Sequence, residues 1–261
     1  MERRELALLR HWFNGFCSSF HLVDREEQRN IALKEEHTCR VCANIRQIAR
    51  SEHLDESCTT LAEAIGLFHD LGRFLQYHRY RTFRDSISVN HASLGADLLI
   101  QGQVLDKLPG DEQDVVVHAV RCHNAFAVPA DPGDRRTLFL RLIRDADKLD
   151  IWRVFLDYYR LPAEERASAV SLGIPDLPEC SPEVLASLGR GGMVNLAQVN
   201  TLNDFKLLQL SWVYDLNFAE SFRMFQERNY LDSLEATLPS GPEIGEAFHA
   251  IRQFAATAAR A

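Results

Sequence analysis

The chain contains no run approaching the roughly 18 consecutive apolar residues that a bilayer-crossing helix requires, so no membrane association is expected. It also lacks strong β-strand alternation, an internal repeat, and any low-complexity or proline-rich stretch that would split it into separate halves. Positive charge is in deficit: 29 Lys and Arg against 37 Asp and Glu leave a formal net charge of −8, which argues against a nucleic-acid polymer or an anionic membrane as partner. The start, Met1-Glu-Arg-Arg-Glu-Leu, has no apolar core of a signal peptide, and the expected compartment is the cytoplasm. Cysteine is sparse, six residues dispersed over 261, which excludes a disulfide scaffold and leaves the thiols reduced. Cys39 and Cys42 have C-x-x-C spacing, but they lie inside a helical pattern with no second pair and no strand before them. They read as two small thiols rather than a zinc knuckle or redox pair.

With 46% hydrophobic residues the chain can bury one large core. The expectation is a single all-α domain over 1–261, with a core at about 25–160, an irregular insertion or lid at 161–203, and C-terminal helices over 204–261 that pack on the core. Helical spacing predicts an opening helix over 1–23, with Leu8, Leu9, Trp12, Phe13 and Phe16 on its apolar side, and a long amphipathic helix over 25–50. A helix at 59–71 is expected to start at the capping signal Thr59-Thr60-x-x-Glu63 and to stop at Gly72. The stretch 73–90 reads as irregular and basic, with Arg73, Arg79, Arg81 and Arg84 against the single acid Asp85. Helices follow at 91–101, at 111 to about 123 after the Pro109-Gly110 turn, and at 137–160 after the irregular loop AVPADPGDRR. Periodicity weakens over 161–203 and returns over 207–230 and 244–259.

Six ligand-type residues fall on or beside the apolar stripes of these helices. His37 continues through Val41, Ile45 and Ile48; His69 follows Leu61, Ile65 and Phe68; Asp70 sits one turn after Gly66. His91 opens a face continued by Leu94, Gly95, Leu98 and Leu99; His123 ends the series Val116, Ala119 and Val120. Asp147 lies one turn from Ile143 and Ile151. Burying even a neutral polar group without a partner costs roughly 2–7 kcal/mol, so inward-facing imidazoles and carboxylates need hydrogen bonds, countercharges or a metal. A shared metal would satisfy them all.

The order His37, His69-Asp70, Asp147 resembles the H…HD…D signature of the HD-domain superfamily of metal-dependent phosphohydrolases. The phrases LFHDLGRF, NHASLGADLL, AVRCHN and RDADKLD resemble that family as well, over about residues 25–160. The resemblance implies an HD-domain helical bundle with additional C-terminal helices. It implies that His37, His69, Asp70 and Asp147 bind a first metal, and that Asp70 bridges to a second held by His91 and His123, as in the two-metal subgroup. Such ligands suit Mn²⁺, Fe²⁺, Co²⁺, Ni²⁺ or Zn²⁺, with Mg²⁺ also admitted, as one or two ions per chain. The implied reaction is cleavage of a small-molecule phosphoester, nucleotide-like, by in-line attack of a metal-activated hydroxide. The chain departs from the cyclic-dinucleotide branch, since the usual histidine doublet is His123-Asn124 and no Gly-Tyr-Pro follows. It departs from the five-prime nucleotidase branch too, because Arg73 occupies the position of the expected glutamate.

Cations complete the expected site. Arg73 and Lys148 are candidate catalytic groups beside Asp70, and with Arg144 and His78 they are candidate contacts to substrate oxygens, Arg144 and His78 ranking lower. His118, about 140° around the helix from His123, ranks behind it as a ligand. Two other readings use the same helices: a mixed-valent di-iron oxygenase, which occurs within the fold, and a nucleotide-binding sensor without turnover. The sequence leaves the natural substrate and the oligomeric state open.

Overall fold

The structure, a computed structural model, describes residues 1–128, 135–170 and 173–260. Among these residues there is no β-strand; the chain is all-α. Most of the expected loop AVPADPGDRR falls at 129–134 and lies outside the described residues.

The chain forms two compact units, Met1–Asp150 with Pro162–Ser171, and Ile151–Leu161 with Leu172–Ala261. The first begins with α1 (Arg3–Ser18), whose Leu6, Leu9, Phe13 and Cys17 recur at helical spacing on the buried side. Leu8, expected on that side, is exposed, and Leu6 takes its place. Phe13 meets Phe68 and Phe74 edge-on at 6.3 and 5.9 Å, an arrangement that the aromatic quadrupole favours. Helix α2 (Arg25–Ser51) starts where the Asp24 carboxylate accepts from the backbone N–H of Glu27, satisfying one of the four unpaired donors of a helix start.

Helix α3 (Glu56–Phe68) is capped by Asp55, which accepts from Cys58 N–H at 2.7 Å. The Thr59-Thr60-x-x-Glu63 signal therefore does not start it. Glu63 instead pairs with Arg10 of α1, a tertiary partner that outcompetes the local one. Nor is Gly72 a helix stop: α3 ends at Phe68, and a new helix, α4 (Leu71–Tyr80), runs through the stretch expected to be irregular. It ends at Arg81, in left-handed conformation with φ 54°, and a single 3₁₀ turn, Asp85–Ile87, follows. Helix α5 (His91–Gln101) is capped by Asn90, and α6 (Gly110–Cys122) begins after Pro109. Helix α7 (Arg135–Arg160) supplies residues to both units.

Gly72 is required for a different reason. A Cβ there would lie 2.1 Å from the His91 carbonyl oxygen and 2.7 Å from Gly95 N, so α4 and α5 cross with main chain against main chain. Gly66 plays a similar part between α3 and α2, where a Cβ would lie 3.2 Å from Ile45 Cγ2 and 3.3 Å from Cys42 Cα.

The segment 161–203 is less irregular than expected. It holds 3₁₀ turns at Ala163–Glu165, Ser168–Val170 and Leu196–Gln198, and α8 (Pro182–Gly189). The expected 207–230 helix is broken into α9 (Leu202–Ser211), a 3₁₀ turn (Trp212–Asp215), α10 (Ala219–Glu227) and α11 (Tyr230–Glu235), before α12 (Pro242–Ala258). In the second unit Trp152 packs against Phe225 and Tyr230, with ring centroids 4.6 and 5.9 Å away, and its indole N–H donates to the Gln209 carbonyl at 3.0 Å.

Asp204, fully buried, ties the proline-containing stretch to α9. Its carboxylate accepts from Ser181 N–H at 2.6 Å, Ser181 Oγ at 2.7 Å, Asn200 N–H at 3.0 Å and Thr201 N–H at 3.1 Å. Burial pushes this carboxyl up, but those donors outweigh it and hold the group below its ordinary value. Its contribution to stability is therefore present above the unfolded value near 3.9 and is lost as pH falls through the lower folded value. Asp204→Asn is expected to cost about 3 kcal/mol at pH 7, and its deficit against the native chain should shrink in thermal melts taken below about pH 3.

Candidate metal centre

All six ligand-type residues of the sequence reading meet in the first unit. His69 and Asp70 form the joint between α3 and α4, His37 comes from α2, His91 opens α5, His123 closes α6, and Asp147 lies in α7. His37 Nε2 is 3.2 Å from His69 Nε2, 3.1 Å from Asp147 Oδ1 and 3.5 Å from Asp70 Oδ2. On the opposite side, His91 Nε2 is 3.1 Å from His123 Nε2 and 3.3 Å from Asp70 Oδ1, and His123 Nε2 is 3.8 Å from that same oxygen. Asp70 thus turns one oxygen to each histidine pair. His37, His69 and Asp70 form one group close enough to hold an ion, and Asp70, His91 and His123 another.

Every imidazole turns Nε2 inward because its Nδ1 is engaged outside. His69 Nδ1 donates to the Gly66 carbonyl and His123 Nδ1 to the Val120 carbonyl, both at 2.8 Å. Each of these carbonyls lies in the last turn of its helix, where intrahelical partners run out. His91 Nδ1 is 2.7 Å from Asp85 Oδ2, and His37 Nδ1 is 2.7 Å from Asp150 Oδ2. Each pair of imidazoles therefore has one member oriented by a carbonyl and one by a carboxylate. The carboxylates are braced in turn: Asp150 by Arg40 Nε at 2.7 Å, Asp85 by Arg73 Nη1 and Gln76 Nε2, both at 2.9 Å.

Carbonyls accept but cannot donate, so His69 and His123 carry a proton on Nδ1, which leaves Nε2 as the atom of each ring available to a metal. Asp85 imposes the same on His91: burial pushes its carboxyl up, but the His91 and Arg73 interactions outweigh that and hold it at about 2. Burial and Arg73 lower His91, while burial, His91 and His69 bring His123 down to about 3, so both rings are neutral at pH 7. Two lone pairs then face each other across 3.1 Å with no donor between them, an arrangement that a cation resolves. For His37, burial and Lys34 push the imidazole down, but Asp147 and Asp150 outweigh them and leave it raised. Burial likewise raises Asp70 and Asp147, yet Lys34 and the imidazoles acting on Asp70, and His37 and His69 acting on Asp147, keep both carboxyls well below the usual range.

The donor set fits divalent transition ions. Metal–ligand bonds of about 2.1 Å place cis ligands about 3.0 Å apart at right angles and about 3.4 Å apart at tetrahedral angles, the range spanned by the closest distances here. His37, His69, Asp70 and Asp147 would hold one ion; Asp70, His91 and His123 would hold a second.

The family-model comparison matches residues 35–152 to the HD domain. Residues 35–152 are an HD domain. No curated protein matches the chain, and no solved structure does. HD domains bind divalent metals and are mostly metal-dependent hydrolases, with other activities among them. The HD doublet here is the α3–α4 joint, and both helices flank it with glycines, Gly66 and Gly72, at points of close approach.

The remaining expected residues are placed less uniformly. Arg73 stands beside the HD aspartate, its Nε 3.5 Å from Asp70 Oδ1, buried and without a hydrogen-bond partner. Lys148 is buried on α7 directly after Asp147. Arg144 is committed elsewhere: it donates to the carbonyls of His123, Ala125 and Phe126, so it holds the end of α6 in place instead of offering a free phosphate clamp. His78 is exposed on α4 with its ring 5.7 Å from that of Phe20, outside the converging group. His118 is also outside it, with Nδ1 4.0 Å from Cys122 Sγ. Cys39 is exposed, and the buried Cys42 thiol is pushed up to about 12 by desolvation, so neither behaves as a ligand.

The sequence reading missed Lys34, Arg40, Asp85 and Asp150. Lys34 and Arg40 each lie three residues from His37 and Asp150 three from Asp147, on shared helix faces, which is a usable signal. Asp85 stood out only as the lone acid of a basic stretch.

Removing an orienting carboxylate typically costs about 10–100-fold in metal affinity. Asp150→Asn should weaken the first ion by that factor and Asp85→Asn the second, each resolved in a calorimetric metal titration. The raised His37 must surrender a proton on binding while His91 and His123 hold none. Affinity at the first position should therefore climb as pH rises from 6.5, and affinity at the second should change less over the same interval.

Proposed function

We propose that this protein is a cytoplasmic, binuclear, metal-dependent phosphohydrolase acting on a small phosphoester, nucleotide-like in kind. One observation supports the reading above others: the Asp70 carboxylate lies between two imidazole pairs and directs a separate oxygen at each. Two divalent ions held there would lower the pKa of a bound water toward about 7 and stabilise charge on the attacking and leaving oxygens.

Hydrolysis adds the oxygen of water to phosphorus and breaks the bond to the ester oxygen, which leaves with one of the water protons. The chain's own groups prepare that exchange. Asp150 and Asp85 fix the His37 and His91 rings, and the helix-end carbonyls fix His69 and His123, so that four Nε2 atoms are aimed before any ligand arrives. Arg73 brings a guanidinium whose unpartnered Nε suits a phosphoryl oxygen, and Lys148, next to Asp147, is assigned to the same charge. Arg144 acts indirectly, by holding the carbonyls of residues 123–126.

The test is turnover of a panel of phosphomonoesters and phosphodiesters by protein loaded with Mn²⁺, Fe²⁺, Co²⁺, Ni²⁺ or Zn²⁺, with metal content measured in parallel. Turnover that needs metal, two ions per chain, and loss of activity in Asp70→Ala and His91→Ala are expected. Equal activity in Asp70→Ala would overturn the assignment, and so would substrate-dependent oxygen uptake without ester cleavage, the outcome belonging to a di-iron oxygenase.

A further inference from the structure

Exposure around the centre is uneven. The four imidazoles and Asp70 keep 4% or less of their side-chain surface exposed, whereas Lys34, Arg73 and Asp147 each keep 16%. Among the described residues these three side chains, with Asp85 at 28%, bring exposed surface to the ligand atoms. Two of them are cations, and both flank the HD aspartate: Lys34 Nζ is 2.7 Å from Asp70 Oδ2, and Arg73 Nε is 3.5 Å from Asp70 Oδ1. The same aromatic ring supports both, since Lys34 Nζ is 5.2 Å and the Arg73 guanidinium carbon 5.9 Å from the centroid of Phe83, distances at which the ring quadrupole attracts a cation.

Neither cation is saturated. An ammonium has three donors, and Asp70 is the only hydrogen-bond partner of Lys34 among the described residues. Arg73 spends Nη1 on Gln76, the Phe83 carbonyl and Asp85, yet its buried Nε has no acceptor. A buried donor without an acceptor costs about 1–3 kcal/mol, so the arrangement is incomplete without an oxygen at that place.

The charges at the rim indicate what that oxygen belongs to. Arg73 is offset by Asp85, and Asp150 by Arg40. The carboxylates of Asp70 and Asp147 carry two negative charges against the four of two divalent ions, and Lys34 adds a further positive charge. A phosphodiester brings one negative charge to this surplus. A phosphomonoester near pH 7 brings almost two, because its second pKa is about 6, together with three terminal oxygens for donors that arrive from different sides.

We propose that Lys34 and Arg73, seated on Phe83, form a two-sided clamp for a phosphoryl dianion, so that the substrate class of this centre is a phosphomonoester rather than a diester. The clamp deepens the hydrolase reading above and rests on it. Lys34 is the specificity-determining member, since it adds the charge that a diester cannot meet.

The experiment uses the whole chain loaded with Mn²⁺ and two readouts. Binding of phenylphosphonate, a dianion that is not hydrolysed, and of its monoanionic methyl ester is measured by calorimetry; hydrolysis of p-nitrophenyl phosphate and of bis(p-nitrophenyl) phosphate is measured alongside. The native protein is expected to bind the dianion at least about tenfold more tightly than its methyl ester and to prefer the monoester substrate in kcat/KM, tenfold corresponding to about 1.4 kcal/mol. Lys34→Met should erase that preference at unchanged metal content, and Lys34→Arg should restore most of it. Equal binding of the two phosphonates, an unaltered preference in Lys34→Met, or loss of metal from that variant overturns the clamp. Lys34-dependent phosphonate binding with neither ester cleaved would instead sink the hydrolase reading and leave the clamp standing.

Discussion

The centre depends on one electrostatic circumstance: imidazole nitrogens are forced toward one another in two pairs at little more than 3 Å, with a single carboxylate between the pairs. Such convergence is unfavourable for the bare chain and becomes favourable only around positive charge. Lys34 and the raised His37 supply part of that charge in the protein alone. The helices add to the demand for a cation, because α3 and α6 both end at the centre, and the C-terminal end of a helix carries a partial negative charge.

Orientation comes from an economical source. His69 and His123 each follow the last residue of a helix, and each donates to the carbonyl three residues earlier. These carbonyls would otherwise need solvent or a capping group. One hydrogen bond therefore finishes the helix and aims the ligand. His37 and His91 sit in a helix interior and at a helix start, where no spare carbonyl lies near, and there a carboxylate orients the ring, Asp150 from more than a hundred residues away and Asp85 from the turn six residues before His91.

The residues of the centre were legible because a helix repeats every 3.6 residues and a polar group on an apolar stripe stands out against that repeat. His37, His69, Asp70, His91, His123 and Asp147 all carried this mark, and the HD phrases gave their order a meaning. The supports were less visible. Asp85 and Asp150 are defined by what they touch across the fold, and composition registered them only as charges. Helix α4 was obscured by Gly72, whose usual sense at a helix end is a stop, whereas here it serves close approach within a helix. The start of α3 was misplaced for a related reason: Glu63 had a distant arginine to pair with, so the local capping box never formed. Arg144 likewise offered a guanidinium one turn from Asp147 but found carbonyls before it could find a substrate.

The crossing of α4 and α5 at Gly72 and Gly95 leaves no room for a side chain between them. Asp70 stands two residues before that crossing, and His91 lies on the other rod within the contact itself. Their separation is thus governed by the thickness of two peptide backbones, a length that neither temperature nor substitution in the surrounding apolar interior can easily stretch. Neighbouring side chains can drift in volume while the bridge between the two halves of the centre keeps its span.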